Sequence, residues 1–209
     1  NKGAWVIIDC QKIVLPDQQE FHIVILATTD MASIEQRKRL DGMIINIEDK
    51  RIIFSDNQDM IETTTDVINY GKNAVTSWER CLDMNKIKTV GVLDIPEDKP
   101  FFAKCAYTGV GIRVFIEKGI MFKATKKKIW TPRSRWGGST PFPVMYDEAG
   151  GPTKEELFGD EEIEYSSHLY DFTVVHPQLL TSTKQTIKSP FIVYNNVFTI
   201  NKNLVSAKK

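Results

Sequence analysis

The sequence predicts a mainly β protein: an antiparallel sandwich, jelly roll or distorted barrel with two inserted helices. Three observations predict it. First, short β-branched and aromatic runs such as FHIVILAT (21–28) and HLYDFTVVH (168–176) recur along the chain, giving roughly nine to eleven strands. Second, glycine pairs such as Thr108-Gly109 and Lys118-Gly119 punctuate them where hairpins turn. Third, the helical patterns fall in the first half and do not alternate with strands, which argues against a doubly wound α/β fold.

Taken in order, Ala4 to Cys10 is the first expected strand, and Leu15-Pro16-Asp17 turns the chain. Phe21 to Thr28 is apolar throughout and reads as a fully buried strand. Ser33 with Gln36 forms a capping-box pattern, and Gly42 supplies the stop, so IEQRKRL between them is a surface helix. Ile34 and Leu40 are its expected anchors. Met43 to Ile47 and Arg51 to Phe54 form a hairpin with Glu48-Asp49-Lys50 at its tip. Residues 55–66 read as a polar loop. Asn73 to Met84 is the second expected helix, because Val75, Trp78 and Leu82 share one face. Ile87 to Ile95 is a further strand, closed by Pro96 and Pro100.

Phe101 to Thr125 reads as three strands. In the middle one, Ile112, Val114 and Ile116 alternate with Arg113, Phe115 and Glu117, the pattern of a sheet with one face in a core. Residues 131–166 differ: four prolines and the pairs Gly137-Gly138 and Gly150-Gly151 predict an extended, mobile and partly exposed excursion. Thr153 with Glu156 is a capping box for one short helix within it. Strands at His168–His176 and Pro190–Ile200 close the fold, the last split into a small hairpin by Asn195-Asn196. One domain over residues 1–209 is expected, with the excursion at 131–166 as its appendage.

Composition bounds the function. The 209 residues are 42% hydrophobic, enough for a sizeable core. Lys+Arg and Asp+Glu are 27 each, so any attraction to an anion comes from a local patch and not from net charge. Cys10, Cys81 and Cys105 are odd in number and widely spaced, which fits free thiols in a reducing cytoplasmic setting better than a disulfide framework or a zinc knuckle. No Asn-x-Ser/Thr acceptor occurs, the apolar runs are too short for a membrane helix, and no signal peptide is visible. The chain opens on Asn1 rather than Met, which reads as a trimmed or cleaved product.

The local patch exists. Lys118, Lys123, Lys126, Lys127, Lys128, Arg133 and Arg135 crowd into residues 118–135, interleaved with Phe122, Trp130 and Trp136. Phosphates need cations, and single-stranded bases stack on exposed rings, so Lys123, Lys126, Lys127, Lys128, Trp130, Arg133, Arg135 and Trp136 are the candidate site. The competing reading is a solvated strand end whose tryptophans pack inward. Asp147 to Glu164 follows with eight acids against Lys154 alone. That arm is expected to dock on a neighbour's basic strip, to fold back on its own, or to serve as a solubilising loop.

Enzyme readings are weaker. Asp41, Glu48 and Lys50 have the residue types of a metal-dependent nuclease, but turn chemistry accounts for Glu48 and Lys50. His22, His168 and His176 lack ligands at metal spacing and read as structural histidines. P-loop, GxGxxG, GxSxG and HExxH motifs are absent, so no cofactor and no metal is expected. The expectation is a non-enzymatic structural or interaction protein, in the style of virus-encoded coat, matrix or genome-binding proteins. Its partners would be single-stranded RNA or DNA, or another polyanion, together with further copies of itself. The alternatives are self-assembly without nucleic-acid affinity, and then a nuclease.

Overall fold

The computed structural model describes residues 3–56, 60–61, 74–76, 107, 109–135, 140–179 and 187–200. Among the described residues, ten strands form two sheets, and three short helices accompany them. The first sheet is a meander of β1 (Trp5–Val14), β2 (Glu20–Thr28), β3 (Ile44–Asn46) and β4 (Arg51–Phe54) in sequential order. The second contains β5 (Met60–Ile61), β6 (Ala74–Thr76), β7 (Val110–Glu117), β8 (Ile120–Ala124), β9 (His168–Val175) and β10 (Phe191–Thr199). Its order is β5-β10-β9-β7-β8, with β6 on β10. The mainly β expectation holds in its sandwich form; the described strands close into no barrel.

The sheets meet face to face. Phe21, Ile23, Ile25, Ile44 and Ile53 of the first sheet pack with Phe115, Phe122, Ala124 and Leu169 of the second in one buried cluster. The far face of the second sheet is covered in turn. There Ile112, Val114, Tyr170, Phe172 and Tyr194 pack against Phe142, Met145, Tyr146 and Leu157, which lie on α2 (Phe142–Glu148) and α3 (Lys154–Phe158). The second sheet is therefore the middle of three layers.

That layering corrects two expectations. The strand now β7 was read with one face in a core, yet Phe115 and Glu117 are as buried as Ile112 and Val114. Its polar members are matched across the layer, not exposed. The excursion at 131–166 was read as extended and mobile, and it instead supplies the cover. Phe142, Met145, Tyr146 and Ala149 recur at helical spacing and are all buried. Pro143 is tolerated because it falls in the first turn, where its missing N–H breaks no helical bond.

Local signals fared well. Lys118 and Gly119 have φ of 48° and 76°, the two-residue turn that matches strand twist between β7 and β8. Both capping boxes form, Ser33 with Gln36 before α1 (Ile34–Leu40) and Thr153 with Glu156 before α3. Asp41 is the cap residue ending α1, and Gly42 follows at φ 77°.

Other expectations fail where tertiary pairing decides. Asn73 to Met84 was expected as a helix, but its described part, Ala74–Thr76, runs as a strand parallel to Ile192–Tyr194 of β10, and the remainder lies outside the described residues. The edge of β10 outweighs a weak helical stripe there, as Val and Thr favour. Within the expected loop 55–66, Met60–Ile61 pairs with the same edge. Asn195-Asn196 makes a bulge in a continuous β10, not a turn, with Asn195 Nδ2 donating to Thr173 Oγ1 at 2.9 Å. Ile34 is 77% exposed and anchors nothing. The strands expected at Ile87–Ile95 and before Thr108 lie outside the described residues.

Candidate polyanion-binding groove

The basic segment begins as β8 ends. Ala124 bridges to Ile129, and the four residues between them turn tightly, Thr125 N–H donating to the Lys128 carbonyl at 2.8 Å. Thr125 Oγ1 accepts from the Lys127 and Lys128 amides at 3.2 and 3.0 Å. A threonine hydroxyl that caps its own turn in this way leaves the following side chains pointing outward. Lys126, Lys127 and Lys128 are accordingly all exposed. The turn is tied down at its exit, where the Ile129 amide donates to Asp9 Oδ2 of β1 at 2.7 Å.

A second turn follows. Ser134 N–H donates to the Thr131 carbonyl at 2.9 Å, and the Phe142 amide donates back to the Ser134 carbonyl at 2.9 Å. This brings Arg135 and the start of α2 beside the lysines. The result is a groove of about 500 Å³ lined by Gly109, Val110, Gly111, Thr125, Lys126, Lys127, Lys128, Arg135 and Phe142. Four cations thus converge on one concavity, at the end of β7.

Gly109 and Gly111 have different reasons to be glycine. A Cβ at Gly109 would lie 2.4 Å from the Val174 carbonyl oxygen, so packing demands its absence. A Cβ at Gly111 would meet nothing within 4 Å. Glycine inside a strand costs about 0.5–1 kcal/mol relative to alanine, and at Gly111 no packing contact offsets that cost. Gly111 lies on the groove wall and leaves backbone accessible there.

The candidate residues divide. Lys126, Lys127, Lys128 and Arg135 line the groove. Arg133 is exposed in the adjoining turn but not in the lining. Trp136 lies outside the described residues. Trp130 is 8% exposed and stacks on Phe142 at 4.9 Å between ring centres, so it serves the core and offers no face to a base. Lys123 is no phosphate contact either: its Nζ lies 4.1 Å from the centre of the Tyr146 ring, and burial pushes its ammonium below the ordinary lysine range. Lys118 pairs with Asp49 at 3.3 Å on the opposite end of β8. Gly109, Gly111 and Phe142 escaped the sequence reading, although a glycine interrupting an alternating strand was a usable signal.

One groove lysine is already engaged. Lys126 Nζ lies 2.7 Å from Asp41 Oδ2, and this hydrogen bond, with the charges of Lys126 and Lys127, holds the Asp41 carboxyl below its ordinary range. Among the described residues, no carboxylate stands within 4.0 Å of Lys127, Lys128 or Arg135.

The nuclease residues do not converge. Asp41 meets the Thr28 amide at 3.5 Å, whereas Glu48 meets the His22 amide at 2.6 Å. Thr28 and His22 sit at opposite ends of β2, about 20 Å apart at 3.3 Å per residue. Burial works to raise the Glu48 carboxyl, and the hydrogen bonds from His22 outweigh it, leaving it below its ordinary range. The histidines are equally dispersed: His22 pairs with Glu48 at 2.7 Å, His168 with Ser167 at 2.9 Å, and His176 with Glu148 at 2.9 Å. His176 Nδ1 accepts the Gln178 amide at 3.2 Å, so its Nε2 carries the proton given to Glu148. Among the described residues, no helix is long and apolar enough to cross a membrane. No protein-family model, curated protein or solved structure matches the chain.

Proposed function

We propose that this is a non-enzymatic binding protein that holds nucleic acid, or a comparable polyanion, through the groove at the end of β7. The observation that carries the reading is the convergence of Lys126, Lys127, Lys128 and Arg135 on one concavity in a chain of net charge zero. Cations spaced along a turn suit successive phosphates, and the open wall at Gly111 lets a backbone come close. With Trp130 buried, base stacking contributes less than the sequence suggests, so binding is predominantly electrostatic and indifferent to sequence. Roles of the coat, matrix or genome-binding type fit these properties, and the exposed free thiol of Cys10 suits a cytoplasmic setting.

Replacing Lys126, Lys127 and Lys128 together by Gln should weaken binding of a short single-stranded oligonucleotide about ten- to a hundredfold at low salt. The log–log salt slope should fall by roughly two, at about 0.7 for each lost single-strand contact. Fluorescence anisotropy across a salt series measures both. Wild-type affinity and slope in the triple variant would remove the groove as the site.

Self-association is a second reading, favoured by β1. Among the described residues this edge strand pairs only with β2, and Trp5, Val6 and Ile7 are 50%, 47% and 50% exposed. An apolar edge of this kind pairs readily with another strand. Light scattering is then expected to give a mass above the 23.9 kDa of one chain, and Ile7→Lys to restore that value. A wild-type monomer at high concentration ends this reading.

A further inference from the structure

We propose that Asp41 is an internal competitor of the ligand, its carboxylate holding the Lys126 ammonium that a phosphate would otherwise claim. This inference rests on the polyanion reading of the groove and names how that groove selects. Its basis is a single ion pair placed at the rim by two independent local structures. Asp41 is presented by the end of α1, its own amide donating to the Arg37 carbonyl at 3.2 Å. Lys126 is presented by the Thr125–Lys128 turn. Gly42 lets them meet: a Cβ there would lie 2.7 Å from Lys126 Cγ, so the lysine stem crosses the chain only because that position is bare. Arg113 fixes the same corner, donating from Nη1 to the Gly42 carbonyl at 3.1 Å.

The chemistry is a competition between like groups. A carboxylate and a phosphate ester take an ammonium by the same charge-assisted hydrogen bond. Two anions cannot share it without repelling one another. The side chains of Lys126 and Asp41 are 52% and 35% exposed, so water can replace either partner and the pair exchanges readily. Lys127, Lys128 and Arg135 carry no such internal anion among the described residues. A ligand must therefore bring enough charge to engage these cations before it displaces Asp41. A single negative charge does not suffice, and Asp41 discriminates in favour of multiply charged phosphate chains.

Asp41→Asn removes the competing charge while keeping an oxygen for the Thr28 amide; Asp41→Ser is a second variant, and thermal melting checks that both fold. The probe is a short labelled oligodeoxythymidine followed by anisotropy across a potassium chloride series. Binding should tighten about three- to tenfold at low salt, with the salt slope staying near its wild-type value, because the bound oligonucleotide already claims Lys126 once Asp41 is displaced. The gain should vanish in a Lys126→Gln background, as a double-mutant cycle requires of a direct coupling. An unchanged affinity, or a gain that persists without Lys126, overturns the competition. If the triple lysine variant weakens binding while Asp41→Asn does nothing, the groove reading survives and only this inference fails. If neither variant changes binding, both fail.

Discussion

Arg51→Met is expected to destabilise the fold by about 3–5 kcal/mol, the usual loss when one member of a buried ion pair is removed. Arg51 reaches from β4 to Glu117 on β7 and also donates from Nη2 to the Ser166 carbonyl at 2.7 Å. Glu117 is fully buried and accepts from Asn46 Nδ2 at 2.8 Å. Burial already raises the Glu117 carboxyl above its ordinary value, with Arg51 the main force against it. Without Arg51 it should rise further and hold a proton that the unfolded chain releases above about 4.5. The folded variant then binds more protons than the unfolded chain, so its stability should fall as pH rises through that window. Chemical denaturation at pH 5 and pH 8 measures this. A loss of equal size at both would show that Glu117 does not titrate there. Adding Glu117→Leu to Arg51→Met should recover much of the stability, since the uncompensated charge is then gone.

Tyr146→Ala should cost about 3–5 kcal/mol, as expected for removing a buried aromatic side chain. Tyr146 is 1% exposed, lies beneath Lys123, and donates from its hydroxyl to the Pro152 carbonyl at 2.8 Å. Tyr146→Phe isolates that hydrogen bond and should cost only about 0.5–1.5 kcal/mol. The pair separates two accounts of residues 140–166. A detachable appendage would leave the melting temperature of Tyr146→Ala unchanged. A covering layer makes it fall by several degrees, because α2 and α3 seal one face of the second sheet. On the same ground, deleting residues 147–164 should unfold the protein, since it removes Ala149 and Leu157 from the core.

Much of this architecture was legible without coordinates, and which parts were legible has a physical reason. Most described strands were legible from their β-branched and aromatic runs. The Lys118-Gly119 turn, the two capping boxes and the hairpin of Met43–Phe54 depend on partners only a few residues away. Their donors, acceptors and backbone angles are settled locally, so residue type and spacing suffice. The helical stripe Phe142, Met145, Tyr146, Ala149 was equally local, but the prolines and glycines around it masked the pattern.

What the sequence by itself determined is a β-rich chain with one crowded basic segment and the turns that present it. Tertiary structure decided what that segment can do. Phe142 buries Trp130, Tyr146 covers Lys123, Asp49 engages Lys118 and Asp41 engages Lys126, leaving Lys127, Lys128 and Arg135 as the groove cations without a carboxylate partner among the described residues, with Arg133 exposed in the adjoining turn. None of these partners adjoins the residue it modifies. A side chain's charge and ring are written in the sequence, but whether water or protein surrounds them depends on which distant strands and helices pack beside it, and that sets their chemistry.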